Sequence, residues 1–142
     1  SKDRDNLYKI NINPIASFPG EGIVIFGQKT LQAFPSALDR INVRRLLIFL
    51  KHELSNISRR LLFEPNVQTT WNRFKSQADG VLSNVQANLG VTEYKIVLDE
   101  TTTTADLIDR NILYAKIYIK PTRAIEYIVV DLIVTNTGAE FV

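Results

Sequence analysis

The sequence predicts an α+β fold in which a small mixed or antiparallel sheet packs against a long two-helix hairpin. Three observations carry that prediction. Two successive stretches repeat apolar residues at alternating steps of four and three, the spacing that places side chains on one helical face. A proline, Pro65, separates the two stretches. Shorter segments on either side alternate apolar and polar residues with the period of a strand.

Taken in order, residues 1–7 are polar and charged and read as a linker from other domains, which sets 8–142 as the folded unit. Tyr8, Ile10 and Ile12 alternate with Lys9 and Asn11, a short strand pattern broken at Asn13-Pro14. Pro19-Gly20 and Gly22 mark a loop, Ile23 to Phe26 reads as a short buried strand or extended segment, and Gly27 marks a turn. From Asp39 the period changes: Val43, Leu47, Leu50, Leu54, Ile57 and Leu61 form the stripe of a long amphipathic helix that ends before Pro65. Asn66 is placed to cap a second helix, with Val67, Trp71, Phe74, Ala78, Val81, Val85 and Leu89 on one face and Gly90 as its stop. Tyr94, Ile96 and Leu98 then give a strand, Asp99 to Thr104 a polar run, and Thr104 a cap for a short helical turn through Asp109. Leu113 to Ile119 is the clearest half-buried strand. Ile125 to Val134 is apolar on both faces apart from Glu126 and Asp131, a pattern a strand sustains only when both faces are covered.

A chain of 142 residues suits one core, long enough to bury roughly two thirds of the surface of its unfolded form. No stretch approaches the ~20 consecutive apolar residues of a membrane span, and no signal-peptide pattern is visible, so a soluble chain is expected. The absence of cysteine excludes disulfides and thiolate metal sites among these residues. The chain begins at Ser1 and contains no methionine, and it reads as a fragment of something longer.

Catalytic chemistry finds little to work with. His52, the single histidine, lies off the apolar stripe without a nucleophile or convergent ligands, so it reads as a surface residue. Asp99, Glu100, Asp106 and Asp109 lack the ordered spacing of a calcium loop. Gly20, Gly22 and Gly27 are too scattered for a phosphate-binding loop. No catalytic, metal or cofactor site is expected, and the chain reads as a binding or structural module, not an enzyme.

Charge leaves one alternative open. Between Asp39 and Arg60 six bases face two acids, a local balance of +4 within a chain of net charge +2, which leaves −2 on the remainder. A basic helix on a near-neutral body is either a solvated face or suits an acidic protein surface or a nucleic acid backbone, and the alternative functional reading is a nucleic-acid-binding or adaptor module. Tyr114 and Tyr118 on one strand face suit base stacking and protein contact equally.

The order of the pieces resembles a known family. Gly22-Ile23-Val24-Ile25-Phe26-Gly27-Gln28-Lys29-Thr30-Leu31, Ile41-Asn42-Val43-Arg44-Arg45-Leu46, Phe63-Glu64-Pro65-Asn66 with Trp71, Asp99-Glu100-Thr101-Thr102, and Lys120-Pro121-Thr122-Arg123-Ala124-Ile125-Glu126-Tyr127-Ile128 together resemble the carboxy-terminal domain of contractile tail sheath proteins. That domain also builds the sheaths of R-type bacteriocins and type VI secretion machines. The resemblance runs from about Tyr8 to the end, and the Phe-Glu-Pro-Asn and Asp-Glu-Thr-Thr segments look most phage-like.

The resemblance implies a structural subunit of the virion tail, made in the host cytoplasm, that stacks as hexameric rings around an inner tube protein and contracts to drive the tube through a target envelope. No nucleotide, nucleic acid or membrane partner is implied. It places this domain next to the tube and joins neighbouring subunits by terminal arms that add strands to each other's sheets. The residues agree at one place: Ile125 to Val134 is too apolar for an exposed edge unless another chain covers it. Ile125, Tyr127, Ile128, Val130, Leu132 and Val134 are therefore the candidate inter-subunit strand, with an ordinary central strand as the competing reading. Arg40, Arg44 and Arg45 on the basic helix, and Asp106 and Asp109 on the acidic turn, are the candidate contacts to tube or neighbour.

Overall fold

The computed structural model describes residues 2–130. In chain order they form α1 (Lys2–Lys9), β1 (Ile15–Phe18), β2 (Gly22–Ile25), a 3-10 turn at Ala37–Asp39, α2 (Ile41–Arg60), α3 (Gln68–Ala87), β3 (Val91–Val97), α4 (Ala105–Asp109) and β4 (Lys116–Pro121). The strands make two separate antiparallel pairs, β1 with β2 and β3 with β4. The expected α+β class stands, with helices and small antiparallel sheets in one chain.

α2 and α3 are each 20 residues long and form the expected hairpin. Near the connecting loop Ile57 clusters with Trp71 and Phe74. Towards the other end Leu50 clusters with Leu82 and Val85. Both clusters close against one face of the β3–β4 ribbon, through Ile96, Leu98, Ile117 and Ile119. Each fully buried leucine contributes about 1.5–3 kcal/mol relative to exposure, and Leu82 and Leu98 are both completely enclosed.

The buried face of α3 keeps Trp71, Phe74, Ala78 and Val85 of the expected stripe and is wider than that stripe. Leu82 is buried and Val81 only half-buried, since α3 packs on α2 and on β3 at once and needs a wider apolar face than one line of residues. Val67 and Leu89, the ends of that stripe, fall outside the helix and are exposed. Asn66 is not the cap: that position is Val67, which makes no side-chain capping bond. The Asn66 amide instead accepts a hydrogen bond from Trp71 Nε1 at 2.7 Å and donates to the Ile112 carbonyl at 3.2 Å, satisfying a buried indole that would otherwise lack a partner. At the other end Leu89 takes the left-handed conformation (φ 60°) and the Gly90 N–H returns to Val85 O at 2.9 Å. Gly90 is required there by proximity, because a Cβ would sit 2.8 Å from Val85 Cγ1.

The β3–β4 register pairs Tyr94 with Ile119, Lys95 with Tyr118 and Ile96 with Ile117, with an irregularity between Val91 and Glu93. The strand expected over Leu113 to Ile119 begins later, at Lys116. The threonine run before α4 is not a solvated loop. Thr102 and Thr103 are buried. The Thr103 hydroxyl accepts from Tyr114 N at 3.1 Å and donates to Tyr114 O at 3.2 Å. Thr102 Oγ1 both accepts from Asp99 N and donates to Asp99 O, at 3.0 Å each. The Asp99 carboxylate takes the Thr101 hydroxyl and N–H, and these bonds hold it below the usual carboxylate range.

The amino-terminal part departs most from expectation. Residues 2–9 are helical, with Asp3 and Asp5 in the first turn and Lys9 in the last, an order that suits the helix dipole. The strand expected at Tyr8–Ile12 does not form. Asn11 at φ 63° ends the helix, and Ile12 N bonds back to Leu7 O at 3.0 Å. β1, which the sequence pattern missed, pairs with β2 in register Ile15 to Ile25. β2 was expected to be buried, yet Ile23 and Ile25 are 78% and 73% exposed, because no layer of the described chain covers that face. Gly27 lies against Asn13 instead of turning: a Cβ would meet Asn13 Oδ1 at 2.7 Å. Asn13 itself bridges Lys29 N and O, both at 2.9 Å.

Candidate functional site

After β4 the chain runs back towards the start of α2. Thr122 N bonds Gly90 O at 3.1 Å, and the Asn42 amide donates to Thr122 O at 3.3 Å. Four residues on, Glu126 is the meeting point of three other segments. Arg40, at the amino-terminal end of α2, forks onto it through Nε (2.5 Å to Oε1) and Nη2 (3.2 Å to Oε2). Tyr8 of α1 donates its hydroxyl at 3.0 Å, and Gln28, just past β2, donates Nε2 at 3.1 Å. The Arg40 bond, ahead of those from Gln28 and Tyr8, holds the Glu126 carboxyl below its usual range against the opposing effect of desolvation. The same bond raises Arg40. The Tyr8 phenol is raised, chiefly by burial and then by its bond to Glu126.

Either side of Glu126 the chain is bare. Ile125, Tyr127, Ile128, Val129 and Val130 are 71–85% exposed, and none of them lies in a strand. The expected strand is therefore absent over 125–130 in the isolated chain, for a physical reason: an extended segment without a partner has no ladder to join. Leu132 and Val134 lie outside the described residues. Among the described residues no strand pairs with the second edge of either β3 or β4, so the ribbon presents two open edges.

The structure separates the charged candidates. Arg40 is engaged within the chain, by Glu126 and by Asp39 at 3.4 Å. Arg44 and Arg45 are exposed on α2 and, among the described residues, neither has a carboxylate within ion-pair distance. Lys51, His52 and Arg59 continue the exposed basic face, where Ile48 adds apolar surface at 56% exposure. Asp106 pairs with Arg110 one helical turn on, at 3.4 Å, and Asp109 is exposed beside it. The Glu126 cluster was not read from the sequence at all. Its one signal was an acid set among apolar residues, Ile125 before it and Tyr127 to Val130 after it.

Comparison with known proteins follows the same lines. The family described as "Phage tail sheath C-terminal domain" matches residues 34–135. The tail sheath protein of Vibrio phage KVP40 is 44% identical over 138 residues, 97% of this chain and 21% of that protein. That of Enterobacteria phage T4 is 42% identical over 138 residues, again 97% and 21%. That of Salmonella phage ViI is 36% identical over 142 residues, 99% and 22%. This chain thus spans about a fifth of the length of these relatives. Among solved structures, a chain of the anti-feeding prophage baseplate superposes with a TM-score of 0.82 at 23% identity, over 92% of this chain and 39% of that one. A chain of the sheath complex of an extracellular contractile injection system, PVC, in its contracted state gives 0.79 at 24%, over 86% and 36%. These two share the fold. On the family match and the identity to the phage proteins, this chain belongs to the phage tail sheath carboxy-terminal domain family.

Proposed function

We propose that the chain is the assembly domain of a contractile tail sheath subunit, a structural module that binds copies of itself around an inner tube and catalyses nothing. One observation carries the reading: among the described residues an apolar segment, Ile125–Val130, leaves the body exposed and unpaired, and the β3–β4 ribbon has both edges free. Each feature alone is a liability in a monomer, since bare strand edges and bare apolar chain recruit other chains. Together they are the two halves of a joint in which one subunit's segment extends another's sheet. Family membership supports the same role.

In this reading the subunits close into hexameric rings. Ile125, Tyr127, Ile128 and Val130, with Leu132 and Val134 beyond them, supply the donated strand. The tube is met through polar contacts at Arg44 and Arg45 or at Asp106 and Asp109, surfaces that release without breaking apolar packing. Energy for contraction is stored in the assembled lattice. The basic face of α2 keeps a nucleic acid reading as the competing case, and salt separates the two: strand pairing and apolar burial survive moderate salt, whereas phosphate binding collapses with it.

The test is negative-stain electron microscopy of the full-length subunit at high concentration, with the variant Val130→Pro beside it. Striated tubes or stacked rings are expected from the parent. Val130→Pro, which removes a backbone donor from the donated strand, is expected to stay folded and fail to assemble. A parent that stays monomeric and binds nucleic acid in a salt-sensitive manner would overturn the proposal.

A further inference from the structure

Glu126 is the last residue of the described chain to make a hydrogen bond with the body. Behind it the backbone is held at Thr122, and ahead of it Tyr127–Val130 is exposed and makes none among the described residues. The direction in which the apolar segment departs is therefore set at this side chain. The geometry is firmer than that of a surface ion pair. The carboxylate is forked by one guanidinium and takes two further donors, and the Glu126 and Arg40 side chains are only 19% and 30% exposed.

The donors are themselves fixed. Gln28 O accepts the Ile41 N–H at 2.7 Å, which ties the donor loop to the start of α2. Lys29 Nζ bonds Tyr8 O at 2.8 Å and stands 4.0 Å from the Tyr8 ring centre. The clasp thus joins the segment that enters the domain, α1, and the segment that leaves it to one point at the head of α2.

We propose that Glu126 is a positioning residue for assembly: its clasp aims the outgoing apolar segment so that a second copy of the chain meets it in one orientation. The inference rests on the sheath reading above and deepens it. A segment free at its root samples many directions, and only the fraction correctly aimed can dock. If release of the clasp leaves a tenth of the molecules competent, the concentration needed for assembly rises about tenfold.

The chain contains no cysteine, so two can be introduced without competing thiols. Spin labels at Ser55→Cys, on the exposed side of α2, and at Val129→Cys report the spread of directions by pulsed electron paramagnetic resonance. A single narrow distance distribution is expected in the parent. E126Q, which keeps the size and removes the charge, is expected to broaden it severalfold. Tyr8→Phe, which removes one donor, should broaden it less and guards against a folding defect in E126Q. An equally narrow distribution in E126Q, or a broad one already in the parent, overturns the clasp.

In the full-length subunit, E126Q should raise the tube-forming concentration about tenfold, and the exchange R40E/E126R should recover part of it. Broadening without any change in assembly would leave the clasp real and overturn its positioning role. If the parent forms no tubes, the sheath reading fails and the assembly role with it, while the distance measurement still judges the clasp.

Discussion

Replacing Thr103 with valine should destabilise the domain by removing one oxygen atom. The side chain is 1% exposed, and its hydroxyl bridges the Tyr114 N–H and carbonyl at 3.1 and 3.2 Å. Valine fills the same space and offers neither bond. Leaving a partly buried backbone donor without a partner costs about 1–3 kcal/mol, and the carbonyl loses one of its two acceptor sites, so a total near 2 kcal/mol is expected. For a chain of this length that lowers the thermal midpoint by about 6 °C. Thr103→Ser keeps the oxygen and loses a methyl group, at about 0.8 kcal/mol. The assay is chemical denaturation of parent and both variants under identical conditions. If valine proves as stable as threonine, or more stable than serine, the bridge is not what holds the turn and the reasoning fails.

Two further tests address the helix face and the clasp. Leu82→Ala should cost about 3 kcal/mol and Val81→Ala about 1 kcal/mol in the same denaturation assay; equal losses would show that Leu82 is no more central to the packing of α3 than Val81 of the sequence stripe. Glu126 has its folded carboxyl lowered from an ordinary value of 4.5. Its contribution is therefore fully present above that value and is lost as pH falls through the lowered folded one. The stability gap between parent and E126Q, about 1 kcal/mol for a partly exposed pair, should be constant at neutral pH and close under acid; a gap unchanged at low pH would show that the charge plays no part.

The sequence was most legible where a pattern ran long. α2 and α3 each sustain their period over 20 residues, and no strand pattern competes with them. Short or charged elements were opaque. α1 contains no buried residue, so no apolar stripe announces it. β1 is four residues, Ile-Ala-Ser-Phe, whose alternation is lost beside the neighbouring proline. Asn66 and Thr103 look locally like a cap and a loop residue; the bonds that occupy them reach Ile112 and Tyr114, and such partners appear only when the chain is folded. The Glu126 clasp was hidden for the same reason, since its donors stand 86, 98 and 118 positions away. The exposed segment after it was legible in composition and illegible in form, because among the described residues no strand pairs with it.

The span of the Tyr8–Glu126 bond also orders events in time. Most pairs of elements that pack are neighbours in sequence, β1 with β2, α2 with α3, α3 with β3, and β3 with β4 across the short α4, and the β3–β4 ribbon then closes on the hairpin. Local pairings of this kind close quickly, whereas bringing residues 118 positions apart together carries the largest entropy of loop closure of any hydrogen bond among the described residues unless the body has already formed. The body should therefore fold first and the clasp shut last. In refolding by stopped flow, E126Q should leave the folding rate of the core unchanged and speed unfolding alone. The adhesive segment would then take its aim only on a finished subunit, which separates the clock of folding from the clock of polymerisation.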